Sequence, residues 1–369
     1  MAALTLFKRL IETWGKPSYV VFFVTSRCNA ACPMCLYQSN MQQNSGQPEL
    51  TVEEYDKISR SLGRFPVLGI SGGEPFLRKD LADIVSVIYR NSSPLVLDLP
   101  TNGFLTEAVL AQAEAIARQC PDMSIDLQLS IDGPEAVHNK IRGVSDGFNR
   151  LRATYAGLVM LKRQYRNLRV KACVVFSQYN EDHMPELFRV LDRDFPELDR
   201  VILSVVHGRV SDPVSGDVHW QKYFDMCDAQ RRNVVLRDRF DAHSLFTMAL
   251  RFVKNDFLKS LLRTKDMYRY CRAGKGVVVI DELGKVFGCE HLWQAVGGLR
   301  ENGYDAGKIL NAEPMRAFQR QIRDKKCNCH WGLPMSNALL FSPRYYPAIV
   351  MEMARILFRR PKKERGDGL

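Results

Sequence analysis

The chain has 369 residues, 46% of them apolar and 25% charged, an ordinary globular composition with length for one large domain and a smaller appendage. Its net charge of +11, from 52 Lys plus Arg against 41 Asp plus Glu, is compatible with nucleic acid, anionic lipid or an acidic partner protein. Ten cysteines are too few for a disulfide scaffold, and no run of about 18 apolar residues is present to span a membrane. Lys8, Arg9 and Glu12 interrupt the first apolar residues, so no cleavable signal peptide is expected. A reducing, cytoplasmic setting follows, and there clustered cysteines are metal ligands more often than disulfides.

Short β-branched runs alternate with longer helical stretches through the first two thirds of the chain. Strands are expected over 19–24, 67–71, 95–101, 126–131, 169–175 and 200–205. Helices are expected between them, over 51–62, 80–91, 106–118, 147–165 and 182–193. The first of these helices opens with a capping-box pair, Thr51 and Glu54. Six strand–helix units argue an α/β fold with a parallel sheet, and they fit a partial (β/α)6 TIM barrel. The expected division is an N-terminal helix over 1–18, the barrel over 19–205, and a linker with bridging helices over 206–270. A small cysteine-bearing unit over 271–331 and an amphipathic helix with a basic tail over 332–369 complete it.

Cys28, Cys32 and Cys35 follow the first strand in a C-x3-C-x2-C pattern. Three closely spaced thiolates can hold three irons of a 4Fe–4S cubane and leave the fourth open to a small molecule. Zinc favours four protein ligands in structural sites, and no fourth Cys or His lies near. The second strand runs into Ser71-Gly72-Gly73-Glu74-Pro75, where glycines allow close backbone approach to a ligand. The third ends at Pro100-Thr101-Asn102-Gly103, which is also an ordinary Asn-Gly turn. The fourth runs through Ser130, Asp132 and Gly133 to His138, Arg142-Gly143 and Phe148. All these loops fall at C-terminal strand ends, where barrels of this type place their chemistry.

The set, in this order, resembles the radical SAM superfamily, whose cluster binds and reductively cleaves S-adenosylmethionine (SAM). By that resemblance Gly72, Gly73 and Glu74 hold the amino group of SAM. Asn102 lies near the cofactor, and Ser130 and Arg142 bind the SAM carboxylate, for which a guanidinium is a natural planar partner. Asp132 and His138 brace the loop. Tyr37 lies against SAM or covers the cluster, although loop packing accounts for an aromatic there equally well.

A second cysteine set begins at Cys271. Gly274, Gly276, an apolar run over 277–280, the turn Asp281-Glu282-Leu283-Gly284 and Cys289 follow, which reads as a hairpin with a cysteine at each foot. A helix over 314–325 then leads to Cys327-Asn328-Cys329-His330-Trp331. The pattern resembles a SPASM or twitch extension. Because no further cysteine follows Cys329, it resembles the shorter twitch form with one auxiliary 4Fe–4S cluster on Cys271, Cys289, Cys327 and Cys329. The final C-x-C is tight, so where one of its cysteines does not ligate either His330 substitutes or an iron is left open to substrate; a four-cysteine zinc ribbon is the alternative. Cys120, Cys173 and Cys227 have no companions at ligand spacing and read as buried apolar residues or bystanders.

The resemblance implies an enzyme in which a 5′-deoxyadenosyl radical abstracts hydrogen from an unactivated substrate carbon. The outcome is a net two-electron oxidation, an epimerisation or a bond formation, so the class is oxidoreductase, isomerase or transferase. A flavodoxin or ferredoxin is the implied electron donor. Glu290, beside Cys289, stands where related dehydrogenases carry a general base, and is as easily a glutamate in a turn. The substrate is a small molecule, a lipid-linked compound or a peptide, the last making the chain a ribosomal peptide maturase. Non-catalytic iron–sulfur or zinc binding is the reading from another class. Nucleic acid is not an expected partner, because interleaved aromatics on a basic face are missing. Peripheral membrane contact is suggested by an apolar helix over 347–360 beside the basic run Arg359 to Arg365, and by Leu6, Phe7, Leu10, Ile11 and Trp14 at helical spacing. Packing of both helices on the barrel is the competing expectation.

Overall fold

A computed structural model of the chain describes residue 12 and residues 15–232 and 242–358. The N-terminal apolar stretch and the basic run from Arg359 lie outside the described residues. Strand β1, Tyr19–Phe23, is followed by the short helix α1, Gln38–Asn44, and by α2, Val52–Leu62. Then come β2 (Val67–Ser71), α3 (Leu81–Ser92), β3 (Val96–Thr101), α4 (Thr106–Gln119) and β4 (Ser124–Ser130). Two helices follow β4, α5 (Glu135–Arg142) and α6 (Gly147–Gln164), before β5 (Leu168–Phe176), α7 (Met184–Asp194) and β6 (Arg200–Val205). Strands β1 to β6 pair in sequence order and all in parallel. Each crossover is helical, the connection that parallel strands require.

The strands split their residues between two faces. Val20, Phe22, Leu68, Leu97 and Leu127 are fully buried, and Phe22 meets Tyr55 of α2 edge-on, so this row packs on the helices. The opposite row fills the barrel with polar groups. Tyr19 Oη donates to Asp98 (2.5 Å), Gln128 Nε2 donates to the same carboxylate (2.8 Å), and Lys171 pairs with Asp126. Burial and the neighbouring Asp126 raise the Asp98 carboxyl above its usual range.

Beyond β6 lie α8 (Trp220–Arg232) and α9 (Ala242–Thr264). Helix α9 crosses the free edge of β6, where Arg251 donates to the Val201 and Leu203 carbonyls and Arg200 donates to Ser244 O (2.8 Å). Covering an open edge in this way satisfies groups that would otherwise template another strand. The hairpin expected after Cys271 is present as β7 (Val277–Ile280) and β8 (Lys285–Phe287), followed by β9 (Ala295–Gly298). It joins the barrel sheet: β7 pairs in parallel with β1, and β8 and β9 add on antiparallel. Short helices α10 (Ala306–Leu310), α11 (Glu313–Asp324), α12 (Gly332–Leu340) and α13 (Tyr346–Phe358) close the described chain. No helix among the described residues is long and apolar enough to cross a membrane. Helix α13 turns Ile349, Glu352 and Ile356 inward and leaves Val350, Met351, Leu357 and Phe358 exposed.

The capping box forms on α2: Glu54 N–H donates to Thr51 Oγ1 (3.3 Å) and Thr51 N–H to Glu54 Oε2 (2.8 Å). The same carboxylate accepts from Arg300 Nε (2.7 Å) and Tyr304 Oη (2.9 Å), which ties the C-terminal segment to the barrel. These bonds hold the Glu54 carboxyl low, at about 2, with Arg300 the largest influence.

Candidate active site

The loop bearing Cys28, Cys32 and Cys35 leaves the end of β1 and is fixed by backbone bonds within itself and to two other segments. Ala31 N–H donates to Arg142 O (2.9 Å), Cys35 N–H to Cys32 O (3.1 Å), and Glu74 N–H to Arg27 O (2.8 Å). Gly73 is what permits this contact, since a Cβ there would stand 2.0 Å from the Arg27 oxygen and 3.1 Å from Cys28 Cβ. The Gly72-Gly73 backbone is therefore spent on shaping the cysteine loop. Glu74 is buried and accepts from Phe76 N–H (3.2 Å), Thr101 Oγ1 (2.9 Å) and Asn102 N–H (2.8 Å). It joins the ends of β2 and β3. Burial raises its carboxyl to about 7 against these bonds, which lower it.

Asn102 spans back to the same loop, with Nδ2 donating to Asn29 Oδ1 (2.7 Å). Ser130 ends β4, in register with Cys173 on β5. Arg142 closes α5 and pairs with the buried Asp132, while its Nη1 lies 3.6 Å from Cys32 Sγ. Asp132 is itself held by Val175 N–H (3.1 Å), and its own N–H donates to His138 Nδ1 (3.3 Å). Burial, assisted by Arg142, lowers His138 to about 3, so its ring is neutral. Arg142 thus bridges the cysteine loop and the β4–β5 ends, and its Nε is buried without a partner. Replacing Arg142 with Ala is expected to weaken SAM binding by about 1.5–3 kcal/mol, the scale of a hydrogen bond to a charged group. Equilibrium binding of SAM to the folded variant measures it, and unchanged affinity would remove Arg142 from the site.

Tyr37 is placed away from solvent. Its ring packs on Phe23 (4.3 Å between centroids) and Trp293 (5.1 Å), and its hydroxyl donates to the buried Glu282 in the β7–β8 turn. Asn44 Nδ2 reaches the same carboxylate (2.9 Å). Tyr37 therefore joins the cysteine loop to the hairpin.

The second cysteine set converges from three segments. Cys271 precedes β7, Cys289 follows β8, and Cys327 and Cys329 follow α11. Cys271 lies within electrostatic reach of Cys327 and Cys329, and Cys289 of Cys271 and Cys329. Gly288 permits the approach of α11, since a Cβ there would stand 2.2 Å from the Phe318 ring. Burial pushes Cys28 and Cys329 up to about 11 and Cys271 to about 12, so these thiols are protonated until a metal displaces the proton.

Among the described residues no group of three or more His, Cys, Asp or Glu is packed so as to hold a single metal ion. A single ion gathers its ligands at about 2.3 Å from one point; a cubane spreads its thiolates over several irons. Three thiols on one preshaped loop, beside an Arg with a spare Nε, suit a cluster that carries one charged ligand. The four-thiol set has the donor chemistry of an iron–sulfur cluster or of a zinc ion.

Glu290 is buried, and its Oε1 lies 3.0 Å from His207 Nε2. His207 lies two residues past the end of β6 and stacks on His291 (5.2 Å). His330 Nε2 donates to Val206 O (2.8 Å), so its bonded nitrogen is not free for a metal. These histidines and Cys329 line a cavity of about 270 Å³ with Val206, Gly208 and Asn328. The sequence analysis did not single out His207, although a histidine just past the C-terminal end of a barrel strand is a recognisable signal. Of the three bystander cysteines, Cys120 and Cys227 are buried, whereas Cys173 is only partly buried. It lies within reach of Asp98, Asp132 and Arg142, on the inner face of the barrel.

The radical SAM superfamily model matches residues 22–191. Among characterised proteins, the chain is 27% identical over 311 residues to an AdoMet-dependent heme synthase of Methanosarcina barkeri, covering 80% of this chain and 83% of that one. It is 32% identical over 182 residues to a pre-heme d1 synthase of Dinoroseobacter shibae, 48% of this chain but only 41% of the relative. Among solved structures, native anSMEcpe with bound AdoMet and the Kp18Cys peptide superposes with a TM-score of 0.56 at 14% identity, covering 92% of this chain and 99% of that one. That last likeness speaks to the fold.

Proposed function

We propose that this chain, a radical SAM enzyme by the domain over residues 22–191, removes a hydrogen atom and a proton from its substrate in a net two-electron oxidation. The proposal includes a twitch-type arrangement, with a SAM-binding 4Fe–4S cluster on Cys28, Cys32 and Cys35 and an auxiliary 4Fe–4S cluster on Cys271, Cys289, Cys327 and Cys329. The single observation that carries the oxidative reading is the Glu290–His207 pair beside Cys329, at the C-terminal end of β6.

When bound, the two clusters and SAM supply the hydrogen-abstracting radical and an electron acceptor. The chain's own residues supply position and proton transfer. Arg142, held by Asp132, presents its unpartnered Nε beside Cys32 for an anionic group of SAM. Tyr37 packs on Phe23 and Trp293 and bonds Glu282, which ties the Cys28 loop to the β7–β8 turn. The Glu290 carboxylate receives the proton at Oε, oriented by His207 Nε2.

An anaerobic substrate screen tests the reading. Protein given dithionite and SAM should release 5′-deoxyadenosine slowly alone and severalfold faster with its substrate, together with a product two hydrogens poorer. A stimulating substrate returned at unchanged oxidation level would overturn the oxidative reading and leave an isomerase or a bond-forming transferase.

A further inference from the structure

Six large apolar side chains are exposed among the described residues, and four of them, Val350, Met351, Leu357 and Phe358, lie on helix α13. Their exposures are 63%, 52%, 52% and 84%. With the exposed Pro347 and the half-buried Ala354 they recur at spacings of three and four, so they form one stripe about 17 Å long. The opposite face is fixed on the body of the protein. Ile349 and Ile356 are buried there, and the buried Glu352 accepts from Arg231 Nε (2.8 Å) and Nη2 (2.6 Å) at the end of α8. Burial of this helix is therefore complete on one side, and its outer side is apolar without a covering element among the described residues.

The exposed charges along this helix have one sign. Arg344 precedes it, and Arg355, which also reaches Glu352 Oε2 (3.2 Å), is about half exposed, whereas Glu352 is the helix's single acid and is buried. In the sequence, Arg359, Arg360, Lys362, Lys363 and Arg365 follow Phe358 at once, against Glu364 alone. The complement of an apolar stripe that ends in clustered cations is an apolar layer beneath anionic groups, which is the boundary of an anionic bilayer. Other coverings lack the charge. Residues 1–14 are apolar too, but Lys8 and Arg9 outnumber Glu12, so they bring no counter-charge. A second copy of the helix sets Arg344, Arg355 and the basic run against the same cations, whichever way it runs.

We propose that α13 is an interfacial helix that holds the protein on an anionic membrane surface. Its stripe of Val350, Met351, Ala354, Leu357 and Phe358 enters the boundary between headgroups and acyl chains, and the cations from Arg359 onward meet the lipid phosphates. The surface shares no residue with the two cysteine sets or with the cavity beside Cys329, so it stands apart from the reaction catalysed.

Co-sedimentation of the full chain with phosphatidylcholine vesicles, with and without about one-third phosphatidylserine, tests it. Binding should be at least about tenfold tighter to the anionic vesicles and should weaken as salt is raised. Leu357→Gln combined with Phe358→Gln removes apolar surface at exposed positions, leaves the charge unchanged and brings in a good helix former. That double variant should bind anionic vesicles at least about tenfold more weakly, while its SAM cleavage with dithionite in the absence of vesicles matches the wild type and shows that it is folded. A photoreactive benzoylphenylalanine in place of Phe358 should form its adducts with lipid. Adducts with residues 1–14 or with a second copy in the presence of the vesicles overturn the proposal, as does wild-type affinity in the double variant or equal binding to both vesicles. A chain left in the supernatant of anionic vesicles at low salt overturns it as well, and leaves an acidic protein as the partner of this face.

Discussion

Replacing Cys28, Cys32 and Cys35 together with Ala is expected to abolish SAM cleavage and to lower bound iron from about eight to about four per chain, by thiolate count. The loop should survive the change. Its shape is set by backbone bonds from Ala31 to Arg142, from Cys35 to Cys32 and from Glu74 to Arg27, none of which uses a thiol. The second thiol set lies on other segments, around β7, β8 and α11, so its iron should be retained. Iron analysis and anaerobic absorbance count the clusters, and chromatography of the dithionite reaction counts 5′-deoxyadenosine. A triple variant that still released deoxyadenosine would place the chemistry elsewhere, and one that lost all its iron would deny the second cluster.

The barrel was legible because its strands announce themselves. Tyr19–Phe23 and Arg200–Val205 are short β-branched or aromatic runs between longer helical stretches, and the observed strands differ from expectation by a residue or two at their ends. The start of α2 was equally plain in Thr51 and Glu54. Helices α5, α12 and α1 are among those that were not. Helix α5 carries both of its punctuation marks, Pro134 before it and Gly143 in the left-handed conformation after it, but it fell within a motif read as a loop. Helix α12 opens on Gly332 and contains Pro334, both poor helix formers, and burial of Met335, Ala338 and Leu339 carries it. Helix α1 is polar and seven residues long, and it is held by Asn44 on Glu282, a contact 238 residues away in sequence.

The site divides in the same manner. Local motifs disclose cysteines, glycines and the Asn102 turn, because their meaning depends on spacing within a few residues. What each side chain touches depends on partners far along the chain. Tyr37 reaches Glu282 across 245 residues, and Glu290 reaches His207 across 83. Nor does the sequence disclose that β7 pairs in parallel with β1, since a hairpin reads as an independent unit. That pairing sets Cys271 and Cys289 at the N-terminal end of β1, opposite the end from which the Cys28 loop leaves, and Glu290 reaches His207 from there.

Glu290→Gln is expected to keep both clusters and the slow, substrate-independent cleavage of SAM, and to lose product formation by about 10²-fold or more, the scale of a positioned general base. The amide preserves the volume of the side chain in a buried position and can still bond His207 Nε2, so the fold should be unaffected. What it loses is an oxygen able to take a proton. The two observables therefore separate. Deoxyadenosine release should continue, because Arg142, Asp132 and the Cys28 loop are untouched, while the oxidised product should not accumulate. His207→Asn supplies the complementary measurement: a carboxylate that loses its orienting partner should retain partial turnover. Wild-type product formation by Glu290→Gln, on an identified substrate, would take Glu290 out of the chemistry and leave the His207 pair a packing contact between β6 and the segment after β8.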